Sequence, residues 1–116
     1  MSNTHQWKGY SNETYKTSIH PLENILNIHE GPFTPNDKGF FIFAKFQDNV
    51  WKAIQIGEGN LKECVIKIRD KGEVLRKGAT HVHVFIDERE YNRGKAVSDL
   101  LLNYKEAYKP IGCNEK

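Results

Sequence analysis

The run Gly39-Phe40-Phe41-Ile42-Phe43-Ala44-Lys45-Phe46 constrains this chain more than any other stretch of it. Aromatic and β-branched side chains concentrated in so short a length favour a strand over a helix. Gln47-Asp48-Asn49 supplies a turn, and Val50 to Gly57 reads as a second strand, so the two runs form a hairpin. Alternation places Trp51, Ala53 and Gln55 on one face of that second strand, with Val50, Ile54 and Ile56 towards the other.

The hairpin sets the frame for the C-terminal half of the chain. Gly57-Glu58-Gly59-Asn60 ends it, and Asn60 is a good helix N-cap. Leu61, Cys64, Val65 and Ile68 keep helical period through Asp70, and Gly72 breaks it. Residues 79–86, Ala-Thr-His-Val-His-Val-Phe-Ile, alternate as a third strand. From about Lys95, the positions Val97, Leu100, Leu101 and Tyr104 describe a last helix that dissolves before Pro110 and Gly112. Upstream, Pro21, Leu22, Ile25, Leu26 and His29 predict a short amphipathic helix stopped by Gly31-Pro32, its apolar stripe packing on the sheet or the last helix. Residues 1–18 are polar and read as a loosely held arm tied down by Trp7, Tyr10 and Tyr15. The expectation is a single α+β domain over residues 19–116. It holds a small antiparallel three-stranded sheet flanked by helices, with an extra N-terminal helix.

Composition excludes several classes. A chain of 116 residues, 38% hydrophobic and 28% charged, is globular rather than disordered. The longest apolar run is interrupted at Lys45, far short of the roughly 18 residues a membrane span needs. A net charge of +2 is too mild to argue for nucleic acid by itself. Residues 1–15 carry no apolar signal core, which makes the cytoplasm the expected compartment. Cys64 and Cys113 lie far apart without a CxxC, as reduced thiols do.

Two sets of residues carry a family likeness. The first is Gly39-Phe40-Phe41 followed by Gln55-Ile56-Gly57-Glu58-Gly59-Asn60-Leu61; the second is Asp99-Leu100-Leu101 followed by Tyr108-Lys109-Pro110-Ile111-Gly112-Cys113-Asn114. Together they resemble the GIY-YIG nuclease superfamily over residues 39 to 114. The resemblance implies a GIY-YIG-like sheet and, in active members, metal-dependent cleavage of DNA phosphodiesters, supported by Mg²⁺ or Mn²⁺. Carried over residue by residue, the two motif tyrosines fall on Phe41 and Gln55, the arginine on Cys64 and the metal-holding glutamate on Val97. Neither Phe41 nor Gln55 offers a phenol, Cys64 has no guanidinium and Val97 has no carboxylate. Asn114 alone lands on a family polar position. Lys67 shares the face of Cys64, whereas Asp99 lies about 200° around the helix from Val97.

Other groups admit a chemical role and a plainer one. Cys64 could be a thiolate nucleophile, but its neighbours Leu61, Val65 and Ile68 fit a buried thiol. His81 and His83 share one strand face about 6–7 Å apart, enough for a metal if Glu58, Asp87, Asp99 or His29 supplied a third ligand; otherwise they line a half-polar sheet face. Between Asn60 and Gly78 there are six basic and three acidic residues, a local charge of +3. That strip suits phosphate contacts or is simply a solvated helix face, and Tyr104, Lys105, Tyr108 and Lys109 make a weaker second patch. The leading expectation is a catalytically degenerate domain that binds DNA or RNA without cleaving it, through Lys62, Lys67, Arg69, His81 and His83, with no cofactor and no resident metal. One alternative is an active endonuclease whose groups moved to His81, His83, Lys67 and Asp99. The other is a protein-interaction or small-ligand domain.

Overall fold

A computed structural model describes residues 3–25 and 32–115 of the chain. Among the described residues five strands form one sheet: β1 (Thr4–Lys8), β2 (Thr14–Pro21), β3 (Lys38–Gln47), β4 (Val50–Asn60) and β5 (His81–Ile86). Their spatial order is β1-β2-β5-β3-β4, and every pairing is antiparallel. The helices are α1 (Leu61–Lys71), the short α2 (Glu73–Arg76) and α3 (Glu90–Asn103).

This corrects the expected three-stranded sheet with an added N-terminal helix. The polar arm is a hairpin, β1 and β2, and it extends the sheet through β5. Its sequence hides the strands because one face meets solvent: Trp7 and Thr17 are buried while Gln6, Lys8 and Lys16 are exposed. Where a helix was expected from Pro21, the described residues form a 3-10 turn over Leu22–Asn24, with Leu22 and Ile25 buried. Leu26 and His29 lie outside the described residues.

The central strand β3 lies between β4 and β5, and its residues Gly39 to Ala44 are all buried. Phe41 and Phe43 join α1, α2 and Ile25 on one face, through Leu61, Val65, Val74, Val82 and Val84. Phe40, Ile42 and Ala44 meet Trp7, Ala96, Leu100 and Ala107 on the other. Helices thus cover both faces, which is why this strand reads as a continuous apolar run instead of an alternating one. The β3–β4 connection turns at Asp48 and Asn49, with φ of 54° and 65°, the mirror-image turn whose twist matches the strands.

A bulge sits between Phe43 and Ala44, which pair with Gln55 and Ala53. The extra residue, Ile54, drops into the α1 face, while Ala53 and Ile56 both belong to the α3 face. Simple alternation along β4 therefore fails at this point, and Gln55 stands opposite Phe43 instead of beside Ala53. Among the described residues no helix is long and apolar enough to cross a membrane.

The C-terminal segment closes the outer edge of β4. Cys113 N–H donates to Ile54 O at 2.8 Å. The Asn114 amide both accepts from Ile56 N–H at 2.8 Å and donates to Ile56 O at 2.9 Å, taking the place of a neighbouring strand's peptide group. Asn114→Ala leaves both edge groups without that partner. It is expected to lower unfolding free energy by about 1–2 kcal/mol, read from urea denaturation with an unchanged m-value.

Candidate functional site

The positions carried over from the nuclease superfamily do not form a cleft. Phe41, 2% exposed, lies against Gly57 directly across the hairpin, and a Cβ there would stand 2.6 Å from the ring. Glycine at 57 is thus the seat of an aromatic ring. Cys64 packs on the same cluster, and Gln55 is half-buried on that face. Val97 packs through the opposite face with Trp7 and Leu100, and Asn114 is spent on Ile56. Burial first, then the carboxylates Glu63 and Glu58, pushes the Cys64 thiol up, away from a reactive thiolate.

The basic residues are divided as well. Lys62 is only 6% exposed, Lys67 projects to solvent, and half-buried Arg69 lies 2.9 Å from Asp70. Arg69 and His81 line one open groove with Leu22, Ile25, Leu75 and Ala79. His83 is not part of it. The nominated carboxylates are already engaged: Asp87 with Arg89, and Glu58 at 3.5 Å from the buried Arg93. Asp99 accepts from Ser11 N–H, Ser11 Oγ–H and the Tyr15 hydroxyl at 2.6–2.8 Å, clamping the β1–β2 turn onto α3. Burial raises the Asp99 carboxyl, but those hydrogen bonds outweigh it and hold the group below its usual range. Among the described residues no group of three or more His, Cys, Asp or Glu side chains is placed to hold a metal ion.

What the fold does assemble is an aromatic and imidazole cluster, built by strands that lie far apart in sequence. β1 contributes His5 and Trp7, β5 contributes His81 and His83, and the end of the β3–β4 hairpin contributes Phe46 and Trp51. Trp51 stands 4.5 Å from His83, 5.2 Å from His81 and 5.1 Å from Phe46, centroid to centroid and tilted or edge-on in each case. His5 lies 5.0 Å from Trp7 and 5.8 Å from His83. Tyr104, just after α3, meets Trp7 at 5.2 Å, and its hydroxyl accepts from Lys8 N–H.

His83 is the fixed point of this cluster. It is 0% exposed, and its Nδ1 accepts from the Trp7 indole N–H at 2.9 Å. Indole only donates, so Nδ1 carries the lone pair and the proton of the neutral ring sits on Nε2. That Nε2–H meets no acceptor among the described residues. Burial, reinforced by His5, His81 and His20, pushes the His83 pKa down to about 3.

Beside this core the surface opens into a groove of about 410 Å³, lined by His5, Trp7, Phe46, Asn49, Val50, Trp51 and Tyr104. Phe46 is 50% exposed at its rim. Of these residues the sequence places Phe46, Asn49, Val50 and Trp51 in the hairpin and gives Trp7 and Tyr104 other roles, while His5 goes unremarked. The signal that points to the groove is the two-residue spacing of His5 and Trp7 in an otherwise polar stretch. No protein-family model matches the chain, and no curated protein or solved structure matches it either.

The buried imidazole has a consequence for acid stability. Folding favours neutral His83, so between about pH 6.5, where the unfolded ring titrates, and about pH 3 the unfolded chain holds the additional proton. Stability is complete above that window and falls as the pH drops through it, by up to about 1.4 kcal/mol per pH unit. His5 and His20, also lowered by burial, act in the same sense. His83→Gln is expected to flatten this slope between about pH 6.5 and 4.5, measured as unfolding free energy against pH. The held-down carboxyls of Asp87 and Asp99 act only below that range.

Proposed function

We propose that the protein binds single-stranded nucleic acid, DNA or RNA, on the aromatic groove at the end of the β3–β4 hairpin, and that it does not cleave it. The observation that carries this reading is the half-open groove itself. Phe46, Trp51, His5 and Tyr104 offer ring faces and edges to solvent on one sheet face, held in place from beneath by Trp7 and His83. Unpaired bases stack on aromatic and imidazole rings at about 1–3 kcal/mol per base, and every base has such a face. A duplex, whose bases are already stacked, has less to gain there.

The binding surface therefore differs from the expected one. His81 remains at its margin through its contact with Trp51. Lys62, Lys67 and Arg69 belong to α1, whose buried residues pack on the other sheet face. The non-cleaving reading is supported by the packing of Phe41, the raised Cys64 thiol and the structural use of Asp99. On this reading the superfamily resemblance is one of local framework: Gly57 admits a ring and Asn114 clasps an edge.

The test is a fluorescence titration at low salt with oligothymidine, oligouridine and a duplex of equal length. Trp7 and Trp51 are the two tryptophans, so stacking on Trp51 quenches the intrinsic signal. Saturable quenching by the single strands is expected, weakened about ten-fold by Phe46→Ala and more by Trp51→Ala. Supercoiled plasmid with Mg²⁺ or Mn²⁺ is expected to stay intact. A flat titration with every oligonucleotide overturns the binding reading, and nicking overturns the non-cleaving one.

A further inference from the structure

The other side of the same hairpin carries an unbalanced charge. Lys45 and Lys52 are directly paired across β3 and β4, next to the pair Phe46 and Trp51. Alternation sends Phe46 and Trp51 to the aromatic groove and both lysines to the opposite face. Directly facing like charges weaken a sheet, so this pair opposes the stability of its own hairpin. A third lysine joins them. Lys77 follows α2, and the Lys45 side chain runs past Gly78, its Nζ 3.8 Å from where a Cβ would stand. The three line a cavity of about 220 Å³ together with Gln47, Glu106, Ala53, Ile54 and Ile111.

The cations in this cavity are poorly matched. Lys77 Nζ donates to Pro110 O at 2.7 Å, which fixes its position without neutralising it. Among the described residues Lys45 and Lys52 have no hydrogen bond or ion pair through their ammonium groups, and Glu106 pairs with none of the three lysines. Three lysine side chains and one glutamate therefore line the recess, all half-buried, with Ile54 and Ala53 on one side of it. Each ammonium presents compact N–H donors, as recognition of a tetrahedral oxyanion requires.

We infer that Lys45, Lys52 and Lys77 form an anion-binding cup for a phosphoryl group. Gln47 adds an amide donor at its rim, and Glu106 limits the charge the cup accepts. The phosphoryl group comes either from a nucleic-acid backbone or from a free phosphate compound, and both present the same oxygens. The cup lies across the hairpin from the aromatic groove and stands independently of stacking there.

The experiment is a ¹⁵N–¹H NMR titration of the full chain with inorganic phosphate, against sodium chloride at matched ionic strength. Saturable shifts confined to the amides of Lys45, Lys52, Lys77 and Gly78 are expected. The double variant Lys45→Gln, Lys52→Gln is expected to weaken phosphate by about ten-fold or more, whereas Lys52→Arg retains it. Neither change should lower the melting temperature, since each keeps a long, unbranched side chain and the first removes a like-charge pair. Shifts reproduced by chloride, spread equally over Lys67, Lys71 and Arg76, or retained in the double glutamine variant overturn the inference. A single-stranded oligonucleotide added to the phosphate-loaded protein separates the sources: release of inorganic phosphate, read from its ³¹P line returning to the free position, assigns a backbone phosphate, and its retention assigns a free phosphoryl compound. Inorganic phosphate carries no base to stack, so a failed stacking test and a failed cup are told apart.

Discussion

Burial of β3 on both faces is the constraint on which the rest of the structure depends. A strand with Phe41 and Phe43 on one side and Phe40 and Ile42 on the other cannot sit at a solvent face, so each side needs a helical cover and each edge a partner strand. β4 answers one edge through a two-residue turn. β5, more than thirty residues downstream, answers the other and brings the first hairpin with it. The covers are α1 with α2 on one face and α3 with the turn at Lys105–Ala107 on the other.

The α3 cover does not reach the far end of the hairpin, and there the two faces diverge in chemistry. One presents Phe46 and Trp51 against the histidines; the other presents Lys45 and Lys52 against Lys77. A ring surface beside solvent and three lysines lining one recess with a single glutamate are both local departures from the best-packed arrangement. Departures of this kind are tolerated where a ligand makes them good. The His83–Trp7 hydrogen bond ties β5 to β1 beneath the groove.

Some of this is legible in the chain. Asn60 caps α1 through Glu63 N–H as its position implies, Gly72 ends that helix with φ of 82°, and β5 and the start of the hairpin lie where apolar runs put them, although β4 continues paired through Gly57-Glu58-Gly59 to Asn60, where the glycines predict its end. The N-terminal strands are not legible, because Thr4–Lys8 and Thr14–Pro21 place polar side chains on their open face and so resemble a coil in composition. The short helix expected from Pro21 rests on a spacing that Leu22 and Ile25 satisfy equally well by entering the core from a single turn. Motif resemblance draws attention to Gly57 and Asn114, but their duties, seating Phe41 and clasping Ile56, depend on partners that only the folded sheet supplies.

The sequence by itself determined that residues 39–57 make a hairpin, that a capped helix comes next, and that His81 and His83 share one face of a strand, because these depend on propensity and spacing within a few residues. The tertiary structure alone decided that β1 and β2 complete the sheet, that Val97 lies through the sheet from Phe41, and that His5, Trp7, His83 and Trp51 converge. Local preference fixes where a side chain points along its own strand. Which strands become neighbours is set by the shared demand to bury β3, and contacts between residues more than seventy positions apart leave no periodic trace in the chain.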